Sequence, residues 1–522
     1  MMAWPRKTLP VVKDRDMVSS LTTFAFQGIE ARPVDVQVHI AGGGQPSFII
    51  VGLANKAVTE SRERVRAAFS SIGLALPAKR ITVNMAPADL PKEGSHYDLA
   101  IALATMSAMG LIPGDSLPGH AALGELSLDG RILHSQGVLP AAIKAQELDL
   151  RLVCPLVCGQ EAAWAGAGHL AADNLIALIS HFNGREALPS LTPGPLKQHQ
   201  VIDDLADVKG QNGAKRALEI AAAGGHNLLF RGPPGSGKSM LAKRLPGLLP
   251  PLSAGELLEV SQIQSIAGLL EQGQLCRNRP FRAPHHSASM PALVGGGTRA
   301  KPGEISLAHH GVLFLDELPE FSGHVLDGLR QPLEEGSIII SRAEHHVKYP
   351  AQFQLIAAMN PCRCGGGSGQ ATCRRGPVCA ERYHARLSGP FLDRIDLFFD
   401  TPMVTPRDLT RTEPQESSNI VRDRVCAARA RQRDRYRDMP AEISLNAHAS
   451  GDIIAAATQL DDEGQDLLLT ASSKLQLSAR AYYRVLKVAR TIADLQHSQT
   501  VRRVHLAEAL SFRFRAPGTA TV

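Results

Sequence analysis

Apolar positions in the first third of the chain follow two different periods, and they predict strands interleaved with helices. Residues 48–53 (FIIVGL) and 80–86 (RITVNMA) are short runs rich in β-branched side chains, which is typical of strands. Residues 56–73 have the helical period instead, and one face of the predicted helix carries Val58, Val65, Ala68 and Phe69. Together these segments predict an α+β domain over residues 20–178.

The same domain continues with a turn and an apolar helix in residues 87–110. A hairpin around Asp129 and Gly130 follows, and then a further helix. Residues 179–200 lose this periodicity and become rich in Pro, Ser and Thr, which predicts a linker.

Beyond the linker, short apolar runs predict the buried strands of an α/β module over residues 201–402. These runs lie at 228–230, 312–315 and 354–359. The remaining residues, 403–522, form a predicted C-terminal domain that includes an amphipathic helix.

Length and composition indicate the broad class of the protein. The chain has 522 residues, enough for about three domains, and its 44% hydrophobic and 20% charged residues are ordinary for a soluble globular protein. The net charge of +6 fits a phosphate-bearing partner only if the basic residues cluster. Because neither a long apolar run nor a signal peptide is present, the sequence predicts a cytoplasmic protein without a membrane partner.

The sharpest chemical motif is a glycine-rich loop between a predicted strand and a predicted helix. It matches G-x-x-x-x-G-K-[ST] and consists of Gly232, Pro233, Pro234, Gly235, Ser236, Gly237, Lys238 and Ser239. Glycines let backbone N–H groups turn toward phosphates, Lys238 adds a positive charge, and the Ser239 hydroxyl is suited to ligate Mg²⁺. The loop therefore predicts an ATP site.

Two further strand ends complete the predicted site. Residues 312–317 (VLFLDE) end in two carboxylates, of which Asp316 is expected near Mg²⁺ and Glu317 is expected to act as the general base on the attacking water. The next strand ends in Asn360, which is expected to orient this water. An ordinary turn asparagine is the alternative at that position.

Two arginines are candidates for contacts with the nucleotide. Arg394 either reaches the nucleotide of a neighbouring subunit or pairs with Asp393 or Asp396 of its own chain. Arg480, in the amphipathic C-terminal helix, is expected to contact the nucleotide, and Arg484 is the competing candidate.

Eight cysteines in a cytoplasmic chain are expected to be reduced, but half of them cluster in the loop 362–379. The cluster consists of Cys362, Cys364, Cys373 and Cys379. Four thiolates, with His384 as a substitute ligand, are suited to bind Zn²⁺. The spacings differ from the usual paired C-x₂-C ligands, so a glycine-rich loop with reduced thiols fits equally well.

The order of segments in the first domain resembles the proteolytic domain of Lon-type proteases, which has the ribosomal-S5-domain-2-like fold. This resemblance implies a serine nucleophile and a lysine base at two positions that here hold His96 and Leu139. Ser95 is one residue out of register, and Lys144 lies a helical turn or more further on. Without a nucleophile and a base in mutual reach, proteolysis is the least favoured function.

From Met17 onward, nearly the whole chain resembles the magnesium-chelatase-like AAA+ ATPases of the YifB or ComM family. The segments that carry the resemblance include QGIEA, VGLANKAVTESRERVRAA, RPFRAPHHSAS, GEISLAHHGVLFLDELPEF, SGPFLDRIDL and SARAYYRVLKVARTIADL. The family starts near residue 17, so residues 1–19 are predicted to be a disordered leader, with Met17 as a candidate start.

The resemblance implies an AAA+ P-loop module whose helical lid is residues 403–522, preceded by a Lon-like domain that lacks the protease pair. It also implies a homo-hexameric ring, fuelled by ATP and Mg²⁺, that drives branch migration of recombination intermediates in natural transformation, with recombination proteins as further partners. The competing function is a protein-remodelling or chelatase-type ATPase.

Two basic segments are candidate contacts for single-stranded or branched DNA. Residues 277–304 combine arginines, His285 and His286 with glycines, as expected of a loop in the channel of a ring; a solvated surface loop is the alternative. Residues 421–438 form an arginine-rich predicted helix, which more often pairs its own charges and faces solvent.

Overall fold

The structure is a computed structural model, and it describes residues 17–41, 45–52, 55–197, 203–297, 300–341, 346–364, 377–405, 408, 415–440 and 443–513. The chain divides into two compact units. The first comprises Met1–Lys197 and Ser261–Leu275, and the second comprises Gln198–Val260 and Cys276–Val522.

The first unit is therefore discontinuous in sequence, whereas the α/β module predicted over residues 201–402 includes residues 261–275. Two hydrogen bonds explain this membership. Ser265 donates through its hydroxyl to the buried carboxylate of Glu161 at 2.5 Å, and Trp164 Nε1 donates to the carbonyl oxygen of Gly273 at 2.9 Å.

The first unit is a sheet with helices. Its elements are β1 (Met17–Gln27), β2 (Glu30–Ala41), β3 (Ser47–Val51), α1 (Lys56–Ser71), β4 (Arg80–Ala86), α2 (Asp98–Ala108), β5 (His120–Ala122), β6 (Glu125–Leu126), β7 (Ile132–Leu133), α3 (Val138–Glu147), β8 (Arg151–Pro155), α4 (Gly159–Ala162), β9 (Leu170–Ala172), α5 (Leu175–Phe182) and β10 (Leu196–Lys197). Seven strands form one sheet in the order β3-β4-β2-β1-β5-β8-β9, in which the long strands β1 and β2 are antiparallel.

Several sequence predictions agree with these elements. The strand at 80–86 is β4, the helix predicted from residue 56 is α1, and its predicted apolar face is buried. The predicted leader overlaps β1, which begins at Met17, and the predicted linker overlaps α5 and β10. Residues 1–16 and 198–202 lie outside the described part of the chain.

Helix α2 is the centre of the first unit, and all of its residues are buried. A helix that is apolar on every side is stable only in such surroundings. Its one charged residue, Asp98, accepts hydrogen bonds from Arg64 Nε at 2.6 Å and from Arg64 Nη2 at 2.9 Å. This ion pair offsets the cost of burying the carboxylate.

The rest of the chain, apart from residues 261–275, supplies the second unit. The elements that follow are α6 (Asn212–Gly224), β11 (Leu228–Arg231), α7 (Lys238–Leu248), α8 (Ala254–Ala267), β12 (Leu275–Cys276), β13 (Phe281–Arg282), α9 (Met290–Val294), β14 (Gly295–Gly296), β15 (Lys301–Pro302), α10 (Glu304–Leu307), β16 (Val312–Leu315), α11 (Gly323–Gly328), α12 (Arg330–Glu335), β17 (Ser337–Ser341), β18 (His346–Pro350), β19 (Gln354–Met359), α13 (Pro377–His384), α14 (Gly389–Leu392), β20 (Leu397–Asp400), α15 (Ser418–Arg435), α16 (Gly451–Ala457), α17 (Asp462–Lys474), α18 (Ala479–Leu495) and α19 (Arg503–Ser511). Helix α8 begins in the second unit and ends in the first.

A five-stranded parallel sheet organises the second unit, with the order β13-β16-β19-β11-β20. Every side chain of β16 and β19 is buried, as expected for central strands covered on both faces. The prediction of an α/β module agrees with this architecture. The described C-terminal residues are largely helical, from α15 to α19.

Two short hairpins, β14–β15 and β17–β18, accompany the parallel sheet. The buried hydroxyl of Tyr349 in β18 donates to the carbonyl oxygen of Ala300, beside β15, at 2.9 Å. The two hairpins are therefore joined to each other. No helix among the described residues is long and apolar enough to cross a bilayer.

Candidate functional site

Three neighbouring strands of the parallel sheet end at the predicted ATP site. β19 lies between β16 and β11, and all three run in the same direction. Because the carboxyl ends of parallel strands meet at one edge of the sheet, the loop 232–237, Asp316 and Asn360 come together there.

The glycine-rich loop has a backbone that other residues would strain. Gly235 and Gly237 have φ angles of 76° and 86°, in the left-handed region that favours glycine. Gly232 is restricted by space, since a Cβ atom there would lie 2.4 Å from the carbonyl oxygen of Thr401. Helix α7 begins directly after Gly237 without a side-chain cap, so its N-terminal N–H groups are suited to receive an anion.

The Lys238 ammonium connects the loop to the end of β19. Its Nζ donates to the carbonyl oxygens of Gly232 at 2.8 Å and Pro233 at 2.9 Å, and to Asn360 Oδ1 at 3.3 Å. Burial lowers the pKa of Lys238, and the negative charge of Asp316 opposes that shift. The contact brings two predicted site residues, Lys238 and Asn360, together.

Ser239 and Asp316 form the predicted Mg²⁺ pair. The Ser239 hydroxyl donates to Asp316 Oδ2 at 2.6 Å, and the Glu317 backbone N–H donates to Asp316 Oδ1 at 2.9 Å. Hydroxyl and carboxylate oxygens are the hard ligands that Mg²⁺ prefers. The residues present therefore fit this ion.

Glu317 projects from a backbone with φ of 52°, which is unusual for a residue other than glycine. Its side chain is 52% exposed, and Oε2 lies 3.4 Å from Nδ1 of His286. The sequence indicates His286 only as part of a basic loop. Its contact with the predicted base depends on the pairing of β13 with β16, which no local motif reveals.

Arg394 has a different partner from the two that the sequence suggested. Its Nη2 pairs with Glu334, and its Nη1 donates to the carbonyl oxygen of Pro390 at 2.5 Å. The expected alternative, pairing with Asp393 or Asp396, is wrong. Asp393 pairs with Arg484, and Asp396 accepts from Asn227 N.

Arg480 and Arg394 both line a cavity of about 340 Å³, whose lining also includes Arg484 and Lys487. Among the described residues, none of the glycine-rich loop lines this cavity. Arg480 is exposed, whereas Arg484 is engaged with Asp393 and with the carbonyl oxygen of Ile395. The structure thus groups the two predicted arginines and does not bring either to the loop.

Three of the four predicted zinc ligands lie together. The sulfur atoms of Cys362, Cys364 and Cys379 lie within 4.8 Å of one another, and those of Cys362 and Cys364 are 3.0 Å apart. Cys373 lies outside the described residues. His384, the suggested substitute, binds the carbonyl oxygen of Pro361 through Nε2 and is not part of this group.

A second group, Glu259, His309 and His310, contains residue types that bind metals. The hydrogen bonds of His309, however, place a proton on the nitrogen that would have to bind the metal. The Gln352 N–H donates to His309 Nδ1 at 3.0 Å, so the proton of the neutral ring is on Nε2. That nitrogen donates to Glu259 at 3.0 Å and has no lone pair for a metal. The group is a hydrogen-bonded connection between α8 and the turn before β16.

Both predicted basic segments contain regular secondary structure among their described residues. Residues 277–304 contain β13, α9 and the β14–β15 hairpin, and Arg279 and Arg282 pair with Glu256 and Glu304. Helix α15 is not simply self-paired and solvated, because its arginines also bind neighbouring helices. These contacts are Arg424 to Glu219, Arg429 to the carbonyl oxygen of Ala222, and Arg435 to Asp494.

The residues considered for proteolysis have other partners. Ser95 donates to Glu125, and Lys144 binds Glu147 at 2.8 Å. At the two positions implied by the protease resemblance, His96 binds the carbonyl oxygen of Phe24 and Leu139 donates its N–H to Glu161. The described geometry supplies no acyl-transfer pair at these positions.

Protein-family models match three parts of the chain. They are described as subunit ChlI of Mg-chelatase over residues 36–157, magnesium chelatase subunit ChlI over 204–409, and magnesium chelatase subunit ChlI C-terminal over 415–513.

Curated relatives extend over nearly the full chain. Competence protein ComM of Haemophilus influenzae is 46% identical over 498 residues, which cover 94% of this chain and 96% of that protein. The uncharacterized protein YifB of Escherichia coli is 45% identical over 498 residues, 95% of this chain and 97% of that protein. The magnesium-chelatase 38 kDa subunit of Rhodobacter capsulatus is 26% identical over 172 residues, 30% of this chain and 49% of that subunit.

Proposed function

This chain belongs to the magnesium-chelatase-like family that includes ComM and YifB, and we propose that it is an ATP-driven DNA motor. In this proposal the protein hydrolyses ATP to drive branch migration of recombination intermediates in natural transformation. Single-stranded or branched DNA is the partner, and a homo-hexameric ring is the working assembly.

The hydrogen bonds of Lys238 to Asn360 and of Ser239 to Asp316 carry the ATPase part of this proposal. They place a cation, a polar amide and an Mg²⁺-type oxygen pair around a loop suited to phosphates. Bound Mg²⁺ would neutralise phosphate charge. Glu317 takes a proton from the attacking water as the water oxygen bonds to the γ-phosphorus, and the bond from this phosphorus to the bridging oxygen breaks to release ADP.

Arg394 and Arg480 complete the site from the next subunit of the ring. Their shared cavity, which the glycine-rich loop does not line, supports a role of this pair toward a nucleotide bound by another copy of the chain. Arg480, like Arg394, would therefore contact the nucleotide that the neighbouring subunit binds. An arginine supplied in trans stabilises the charge of the transition state.

The DNA part of the proposal draws on the relative and on the two joined hairpins. The Haemophilus influenzae relative is a competence protein. Lys301 in β15 and Lys348 in β18 are exposed, and such side chains bind nucleic-acid phosphates. A protein-remodelling or chelatase-type ATPase is the second candidate, which the descriptions of the matching family models favour.

Hydrolysis and strand-displacement assays distinguish these two functions. We expect single-stranded or branched DNA to stimulate ATP hydrolysis by the purified full chain, and we expect ATP-dependent displacement of a strand from a three- or four-way junction. The Glu317→Gln variant is the control for nuclease or helicase contamination. Equal hydrolysis with and without DNA, together with no displacement, would contradict the DNA motor.

We further propose that Cys362, Cys364 and Cys379 bind Zn²⁺ together with Cys373. The grouping of three thiols supports this proposal, because thiolates are the usual ligands of structural zinc. We expect about one zinc per chain by elemental analysis and a loss of most of it in Cys364→Ser. Cys426→Ser is the matched control, since Cys426 is outside the group. Zinc-free wild-type protein would contradict the proposal.

A further inference from the structure

We infer that Arg386 is a positioning residue of the ATPase site, which holds the backbone that carries the proposed base, Glu317. The inference rests on the proposed function, because it takes Glu317 as the base of ATP hydrolysis. It adds a residue that lies outside the glycine-rich loop and outside the three strand ends, and that acts on the site through the turn after β16.

The backbone of Glu317 needs support from its surroundings. Its φ of 52° is in the left-handed region, where a residue other than glycine persists only if the neighbouring structure holds it. Glu317 caps a single 3₁₀ turn, Leu318–Glu320, which the Glu320 N–H closes by donating to the carbonyl oxygen of Glu317 at 2.8 Å. The position of the Glu317 carboxylate therefore depends on the position of this turn.

Arg386 holds the turn from outside with one nitrogen of its guanidinium. Arg386 Nη1 donates to the carbonyl oxygen of Pro319 at 3.0 Å and to Glu320 Oε2 at 2.9 Å. One contact fixes the backbone and the other fixes a side chain, and both lie within three residues of Glu317. Because hydrogen bonds between charged groups are stronger than neutral ones, the contacts restrict the movement of the turn.

The segment that carries Arg386 is itself anchored to the sheet. Arg386 lies between α13 and α14, and the next residue, Leu387, is buried. His384, at the end of α13, binds through Nε2 the carbonyl oxygen of Pro361 at 3.0 Å. Pro361 directly follows Asn360 at the end of β19. Arg386 therefore fixes the turn after β16 relative to the end of β19.

The exposure of the contact sets the size of the expected effect. The side chains of Arg386 and Glu320 are 42% and 25% exposed, respectively, so the ion pair by itself contributes little to folding. Arg363 Nε lies 3.7 Å from Glu320 Oε1, which is beyond hydrogen-bond distance, so it does not replace Arg386. Displacing a reacting group by about 1 Å costs up to about 10²-fold in rate. Loss of Arg386 should therefore affect hydrolysis more than stability.

Steady-state ATP hydrolysis by the full chain without DNA, together with binding of a fluorescent ATP analogue, tests the inference. We expect Arg386→Ala to lower kcat about ten-fold, with the KM for ATP and the affinity for the analogue within about two-fold of wild type. Arg386→Lys keeps the positive charge and a donor, and should recover part of the loss. Arg382→Ala is the matched control, because Arg382 is an exposed arginine one helical turn earlier.

A double variant determines whether Arg386 acts through Glu317. In Glu317→Gln the base is already lost, so adding Arg386→Ala should lower single-turnover hydrolysis by less than about two-fold further. Losses that multiply would mean that Arg386 acts on another part of the site, and they would overturn the inference. An unchanged kcat in Arg386→Ala would overturn it as well.

Folding and the proposed function are checked separately. Circular dichroism establishes that each variant is folded, and Glu320→Gln replaces Arg386→Ala if the latter is not, with an expected decrease in kcat of about two- to five-fold. An unchanged kcat in Glu320→Gln would then refute the positioning role. Full turnover by Glu317→Gln alone would refute the proposed base, whereas slow Glu317→Gln with a fully active Arg386→Ala would refute only the role of Arg386.

Discussion

Lys238 and Glu317 have different proposed functions in the site, phosphate binding and proton transfer. The Lys238 ammonium contacts two loop carbonyls and Asn360, whereas the Glu317 side chain is more than half exposed beside His286. Removing the first should disturb the phosphate-binding loop itself. Changing the second should leave the loop intact and affect only the proton transfer.

We therefore expect Lys238→Ala to lose ATP binding and Glu317→Gln to bind ATP but hydrolyse it about 10²- to 10⁴-fold more slowly. Binding of a fluorescent nucleotide and phosphate release measure the two effects. Glu335→Gln is the control, since Glu335 is an exposed carboxylate that binds Gln331. Full turnover by Glu317→Gln would disprove its role as the base.

Glu259 provides a test by pH. Hydrogen bonds from His309 and His310 lower the pKa of Glu259 from 4.5 to about 2, against the effect of burial. A carboxylate with a lowered folded-state pKa adds stability above its unfolded-state pKa and loses it as the pH falls through the folded value. Burial lowers the pKa of His309 from its ordinary value of 6.5. The folded state therefore also loses stability as the pH falls below 6.5, because His309 has to take up a proton.

Glu259→Gln should consequently be less stable than wild type at neutral pH, and the difference should shrink between pH 4.5 and about 2. Thermal unfolding followed over this pH range measures the effect. Glu271→Gln, an exposed residue, is the control. A constant difference at all pH values would show that the ionised Glu259 does not carry the stability.

At the scale of elements, α2 depends on one charged pair. The Asp98 side chain is fully buried and binds Arg64, whose side chain is 19% exposed. Removing one partner of a buried pair leaves the other charge uncompensated, which costs about 3–5 kcal/mol. Neutral apolar substitutions elsewhere on α2 lack this penalty.

We expect Asp98→Asn to lower the melting temperature of the transition that includes the first unit by about 6–15 °C. Differential scanning calorimetry measures this shift. Asp89→Asn is the control at an exposed carboxylate. A shift below about 2 °C would mean that the pair contributes no more than a surface ion pair.

The sequence predicted secondary-structure elements best where they depend on neighbouring residues. The strand at 80–86, the helix at α1 and the loop-to-helix motif around Lys238 follow from neighbouring residues. The partners Glu334 of Arg394 and His286 of Glu317 were not found, because they are set by strand order and helix packing across distant segments. The prediction that residues 261–275 belong to the ATPase module is wrong for the same reason.

At the scale of the whole molecule, the proposed ring makes Arg394 a residue shared between copies. Arg394→Ala should retain ATP binding and lose about 10³-fold or more in hydrolysis. Mixing it with Lys238→Ala subunits, which have an intact Arg394, should restore part of the activity. The phosphate-release assay on mixed and unmixed proteins measures this rescue.

The control mixture uses subunits that carry both substitutions, and it should give no rescue. Absence of rescue in the first mixture would indicate that Arg394 acts within its own chain, through Glu334. Rescue in both mixtures would point to exchange or contamination rather than to a shared site.

The discontinuity of the first unit limits how its gene can exchange domains with related genes. Ser265 and Gly273 complete contacts with Glu161 and Trp164, yet they are encoded between the two nucleotide motifs. A gene cut at the linker would give a fragment in which the buried Glu161 lacks the Ser265 hydroxyl. Recombination between relatives therefore has to transfer residues 261–275 together with the part of the first unit that precedes the linker. We expect these two segments to be inherited together.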